Sequence, residues 1–196
     1  MKKLLMYLIS FSLVFIACKS KKTAEEKATD DLQKNINSMV ENMDKNKDEI
    51  LKGKNDLEKL TPLTIDQLKT LIPETLMGAK RTSYNASSAM GAGFVTADYR
   101  INDTTKVSLN IYDCGGPAGA GIYSMQYLGM MNIEQESEDE YTKTISYGNG
   151  KAYEHCQKTA NECTLTWFAG DRYLVTLNGD NVPVDALKSA GKELKF

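Results

Sequence analysis

The chain is poor in the residues that most often carry chemistry. Its 196 residues include one histidine, one tryptophan, four cysteines and four prolines. Each scarcity excludes something. A single histidine, His155, rules out the multi-histidine sites that hold catalytic zinc or iron. His155, Cys156 and Cys163 are too few ligands, at this spacing, for a structural zinc. Basic runs are missing as well. Lysine and arginine number 24 against 26 acidic residues, for a net charge of −2. A chain with no basic stripe lacks the electrostatic footprint of a nucleic-acid binder. No repeat of 20–50 residues is visible. There is one long apolar run, Leu4 to Ile16, and it is too short to span a bilayer.

That run has another meaning. Lys2 and Lys3 precede it, and together they have the charge and length pattern of a secretory signal. It ends in Phe15, Ile16, Ala17 and Cys18. This "FIAC" stretch resembles the lipobox of bacterial lipoproteins, with phenylalanine where leucine is commoner. The resemblance covers the first 18 residues. It implies a signal peptide of residues 1–17, cleavage before Cys18, and lipidation of Cys18, with palmitate among the acyl chains. Two or three chains hold a protein stably on a membrane. Lys19 follows the cysteine, and an aspartate there often implies inner-membrane retention. The resemblance therefore implies an outer-membrane anchor, with leaflet and facing left open.

Residues 18–60 read as a lipidated, partly helical tether. Residues 19–31 contain no aliphatic side chain larger than alanine, so they cannot bury a core. From Leu32 an interrupted heptad begins. Ile36, Met43, Ile50 and Leu57 fall seven apart, while Leu32, Met39 and Leu60 share a second seam broken by Asn46 and Gly53. The stretch reads either as a spacer or as a stalk that makes a homo-oligomer through residues 32–60.

Residues 61–196 read as one α+β domain. Thr64 is placed to cap a helix with Ile65, Leu68, Leu71 and Ile72 on one face, ended by Pro73. "AKRTSYNA" is a short strand. "GFVTADYRI" turns Val95, Tyr99 and Ile101 to the core, and "KVSLNIYD" turns Val107, Leu109 and Ile111 inward. A helix is predicted over 118–131, then an acidic connector "EQESEDE". Four strands follow, "YTKTISY", "KAYEHCQ", "ECTLTWFAG" and "RYLVTLNG", before a closing helix with Pro183 in its first turn. Strand runs joined by tight turns predict a mainly antiparallel twisted sheet flanked by helices. This element order resembles the PsbP/Mog1-like architecture, which implies non-catalytic accessory or binding roles; a fold alone does not fix function.

Four stretches are candidate sites. "DCGGPAGAG", Asp113 to Gly121, has the look of a phosphate cradle. However, Ile122 stands where a Walker loop needs lysine, and Ser124 stands at the third glycine of a dinucleotide fingerprint. It reads instead as a strand-to-helix corner, with Cys114 as the nucleophile of an alternative, thiol-enzyme reading in which His155 is the candidate base. Cys156 and Cys163 flank a hairpin turn and read as a local disulfide, or as two buried thiols. Gly115 to Ile133 carries no charge. This helix reads as core, or as the wall of an apolar pocket with Ile122, Met125, Met130 and Met131 facing a hydrophobic small molecule. The acidic run from Glu134 to Glu140 lacks EF-hand spacing. No catalytic residue, metal ligand set or cofactor is assigned. The expectation is a non-enzymatic envelope lipoprotein that binds the membrane through its anchor and a hydrophobic molecule or envelope protein through its domain.

Overall fold

The computed structural model describes Asn37 and residues 46–89, 91–130 and 132–196. The signal peptide, Cys18, most of the tether, and Met131 of the expected pocket lie outside the described residues. Residues 37–196 belong to one compact unit. Its first described helix, α1, spans residues 46–58. There follow α2 (Ile65–Lys69), β1 (Thr75–Leu76), β2 (Ala79–Ala89), β3 (Ala92–Arg100) and β4 (Lys106–Asp113). After α3 (Gly116–Gly129) come β5 (Glu134–Glu136), β6 (Glu140–Tyr147), β7 (Gly150–Gln157), β8 (Glu162–Ala169), β9 (Tyr173–Asp180) and α4 (Val184–Glu193).

The nine strands form one sheet in the order β1-β2-β3-β4-β9-β8-β7-β6-β5. Every neighbouring pair is antiparallel. Two meanders, β1–β4 and β5–β9, meet where Leu109 faces Leu177 and Ile111 faces Val175. The fold is thus mainly sheet within the α+β class. Its cause is the period-two alternation of these strands, which sends each second side chain to one face. On that face Val95, Ala97, Tyr99, Leu109, Val175, Leu177 and Trp167 form the main core with Leu68 of α2 and Leu187 of α4.

Several local expectations need correction. Ile101 is 38% exposed, because β3 ends at Arg100 and Ile101 turns to bond Thr105 O. Val95, Ala97 and Tyr99, on the same alternating face, are buried. The α2 helix is one turn with a complete Thr64–Gln67 capping box. Leu68 and Ile72 are buried, whereas Ile65 is 42% exposed. The acidic connector contributes an edge strand, β5, paired with β6. The predicted helix over 118–131 begins at Gly116 and ends at Gly129.

The other face is covered at one end only. There α3 and α1 bring Ala120, Met130 and Leu57 onto Cys114 and Leu174. Because α1 buries Ile50 and Leu57, the compact unit begins N-terminal to residue 61. Nor is α3 buried all round: Met125 is 67% exposed. The sheet and α1 cover only part of its surface, and its uncharged outer residues meet water. The uncovered part of this face is polar. Ser83, Asp98, Ser108, Asn178, Thr164, His155 and Thr142 form one row across seven strands. Ser83 and Ser108 both donate to the Asp98 carboxylate, and Thr164 donates to Asn178.

Candidate functional site

A large hollow lies at the end of the sheet where the β6–β7 and β8–β9 turns meet α1, α3 and the C-terminal residues. Its volume is about 1050 Å³. Its walls are aromatic. The Phe168 ring centroid lies 4.8 Å from Tyr123 and 5.9 Å from Tyr127, and the two tyrosines are 5.3 Å apart. Farther round, Tyr147 meets Trp167 edge-on at 5.3 Å. Glu49, Lys52, Asp56, Lys151 and Lys192 also border the cleft and mix both signs of charge.

The sequence builds this cleft with two glycines. At Gly53 a Cβ would collide with the Tyr123 ring, so this interruption of the heptad seam is the place where an aromatic ring seats against α1. At Gly191 a Cβ would collide with the Tyr147 hydroxyl and stand 3.0 Å from Trp167 Cη2. Tyr147 then donates to Lys188 O at 2.8 Å, holding the ring beside α4. On the other wall Tyr127 donates to Glu49 Oε1 at 2.7 Å, which ties α3 to α1. Burial, then the Glu49 charge, pushes the Tyr123 phenol up to about 12. Burial and the Glu49 hydrogen bond push Tyr127 up too. Both phenols are therefore neutral donors at ordinary pH. The arrangement can stack flat apolar or aromatic groups and hydrogen-bond their polar edges.

The three expected pocket residues that are described, Ile122, Met125 and Met130, do not converge. Met130 borders the cleft. Ile122 is half-buried in the small core beneath α3, and Met125 faces water. Tyr123, Tyr127 and Phe168 were missed as a group. The available signal was a pair of tyrosines four apart on an uncharged helix, hence on one face.

The Gly-rich corner has a different occupant. Asp113 is fully buried. Its Oδ1 accepts from Arg172 Nε at 2.7 Å and from the Gly115 N–H at 3.0 Å. Its Oδ2 accepts from Arg172 Nη2 at 3.1 Å and from the Leu63 N–H at 2.7 Å. Gly116 adopts φ +81°, and a Cβ on Gly119 would stand 2.6 Å from Asp113 O. These glycines let α3 leave β4 at close range. Cys114 is buried beneath the corner. Burial pushes its thiol up to about 12, which opposes nucleophilic chemistry. Its Sγ lies 4.0 Å from Tyr112 O. His155 has other partners, Thr142 Oγ1 at 2.9 Å and Glu140 at 4.0 Å.

Two further groups are set by the sheet. Cys156 and Cys163 stand opposite each other on β7 and β8 and are disulfide-bonded. Glu154 is buried under α4. Tyr141 donates to its Oε1 at 2.7 Å, Lys143 lies 3.3 Å from the same oxygen, and Lys188 faces Oε2 at 2.8 Å. The Lys188 contact supplies charge without a well-aligned hydrogen bond to Oε2. Among the described residues, no group of three or more histidine, cysteine or acidic side chains could hold a metal ion. No described helix is long and apolar enough to cross a membrane. No family model, no curated protein and no solved structure matches the chain.

Proposed function

We propose that this chain is a lipid-anchored envelope protein of the outer membrane, acylated at Cys18, with a non-enzymatic binding or accessory role centred on the end cleft. The observation that carries the binding reading is the wall of tilted, mutually contacting rings of Tyr123, Tyr127 and Phe168 in a hollow of about 1050 Å³. Such a site suits a hydrophobic small molecule or an apolar segment of an envelope protein. The anchor rests on the "FIAC" stretch and the signal layout before it. The buried, weakly acidic thiol of Cys114 speaks against the thiol-enzyme alternative. The stalk alternative loses support because Ile50 and Leu57, two members of the heptad seam, are buried within the chain's own unit.

The test is native mass spectrometry of the protein purified from its own envelope. A retained adduct is expected on the wild type and lost in Phe168→Ala. Bare protein in both cases overturns the cleft reading. The anchor is tested separately by Cys18→Ser, which is expected to move the protein out of the membrane fraction. Unchanged membrane association would overturn lipidation at Cys18.

A further inference from the structure

The two edges of the sheet are guarded differently. The β5 edge is short and acidic: Glu134 and Glu136 lie in it, and Glu138, Asp139 and Glu140 follow. Clustered charge on a short strand repels another strand. At the opposite edge, β1 pairs only with Ala79 and Lys80 of β2. Glu74 O then accepts the Arg81 N–H at 2.9 Å. From Thr82 to Ser88, no strand lies outside β2 among the described residues. This stretch, "TSYNASS", has no charged residue and no proline, two of the devices by which edges avoid pairing; a third, a bulge, is confined to its start, between Arg81 and Ser83. Beyond that bulge the six regular residues from Ser83 to Ser88 offer about 20 Å of open backbone at roughly 3.3 Å per residue.

A second observation lies on the same edge. Tyr84 stands in one row with Ala97, Leu109, Leu177 and Leu165 of the main core. It carries that apolar layer onto the last long strand, β2, and is 51% exposed. Arg81 lies 5.1 Å over its ring, which leaves much of the ring in water.

We infer that β2 is an association edge for a second copy of this chain, pairing antiparallel with the partner's β2 across a two-fold axis. The occupant follows from complementarity. Antiparallel self-pairing sets an uncharged strand against itself, so no like charges meet along Thr82–Ser88. It sends the two Arg81 side chains to opposite ends of the pair. With the axis near Asn85, Tyr84 of one copy lies beside the partner's Ala86, and Ser83 beside the partner's Ser87. The exposed tyrosine faces are then covered by each other's strand, and the contact closes as an isologous dimer. Pairing β2 with β5 would engage only three residues and leave open ends. The inference is independent of the cleft and of the lipid anchor.

The test is sedimentation of the full chain in detergent over a concentration series, with hydrogen exchange on β2. A monomer–dimer equilibrium is expected, with amides in 82–88 exchanging more slowly as concentration rises. Asn85→Lys brings two like charges together at the axis and should weaken the dimer by at least about tenfold. Tyr84→Ser should weaken it while leaving the far-ultraviolet circular dichroism unchanged. Monomer at every concentration overturns the inference. So does a dimer indifferent to Asn85→Lys, which would place association elsewhere. Slow exchange at 82–88 that ignores concentration also overturns it, because the chain itself would then cover the edge.

Discussion

Arg172 and Asp113 lie 59 residues apart in sequence and meet through two parallel contacts, Nε to Oδ1 at 2.7 Å and Nη2 to Oδ2 at 3.1 Å. Arg172 Nη2 also donates to Thr61 O at 2.7 Å. One ion pair thus joins the end of β4, the β8–β9 turn and the segment that links α1 to α2. Burial alone would raise the Asp113 carboxyl. The Arg172 hydrogen bond and the amides of Leu63 and Gly115 outweigh it and hold the carboxyl below its ordinary 3.8.

Asp113→Ala should therefore be among the most damaging substitutions. It strips the partly buried Arg172 of its partner and leaves the Leu63 and Gly115 amides unsatisfied. The expected loss is about 3–5 kcal/mol. Urea unfolding followed by circular dichroism reads it. A loss under about 1 kcal/mol would reduce the pair to an ordinary surface contact.

The corner itself predicts a second pair of results. A thiol reagent should leave Cys114 unlabelled in the native protein and label it on unfolding, since the thiol is buried and pushed up to about 12. Gly119→Ala should cost about 1–3 kcal/mol by overpacking, because its Cβ would stand 2.5 Å from the Cys114 carbonyl carbon. If Gly119→Ala labels at Cys114 much faster than wild type, the corner has opened as expected. Fast labelling of the wild type would contradict the buried placement.

Much of this architecture could be read from single strands. Val107, Leu109 and Ile111 alternate with Ser108 and Asn110, and that period is written locally by a sheet with one apolar face. Cys156 and Cys163 sit symmetrically about a polar turn. The rest depends on distant partners. Nothing near Asp113 announces Arg172. The seam of Ile50 and Leu57 says that a stripe must be covered; it does not say that Leu57 will meet Ala120 and Leu174 rather than another stalk. The absence of charge in α3 reads as burial, yet glycine and alanine make much of its contact and Met125 faces water. "EQE" has weak strand propensity and pairs because β6 supplies the ladder.

The disulfide closes a short loop, so its contribution should be moderate. The two cysteines are seven apart in sequence, and constraining a loop of that size in the unfolded chain is worth about 2 kcal/mol. Replacing both with serine should lower the unfolding free energy by that order in non-reducing buffer. The same variant should respond little to added reductant, whereas the wild type should fall toward it. An equal response of both would mean that the bond is not formed in the purified protein.

The last prediction concerns acid. Burial would raise the Glu154 carboxyl, but Lys188, then Tyr141 and Lys143, outweigh it and hold it below its ordinary 4.5. A carboxyl lowered by folding adds stability that is present above its unfolded value and is lost as pH falls through the folded value. For Glu154 and Asp113 that loss should fall below about pH 4. Lys188→Met removes the positive charge facing Oε2 and leaves Lys143 and Tyr141 on Oε1. The Glu154 carboxyl should rise, and the acid-unfolding midpoint should move to higher pH. At neutral pH the substitution should cost about 1–3 kcal/mol, the penalty of a buried charge with weakened compensation. In a Glu154→Gln background the same substitution should cost much less, because the charge it served is gone. A Lys188→Met cost and acid midpoint that are identical in both backgrounds would show that Lys188 acts through the packing of α4, and not through Glu154.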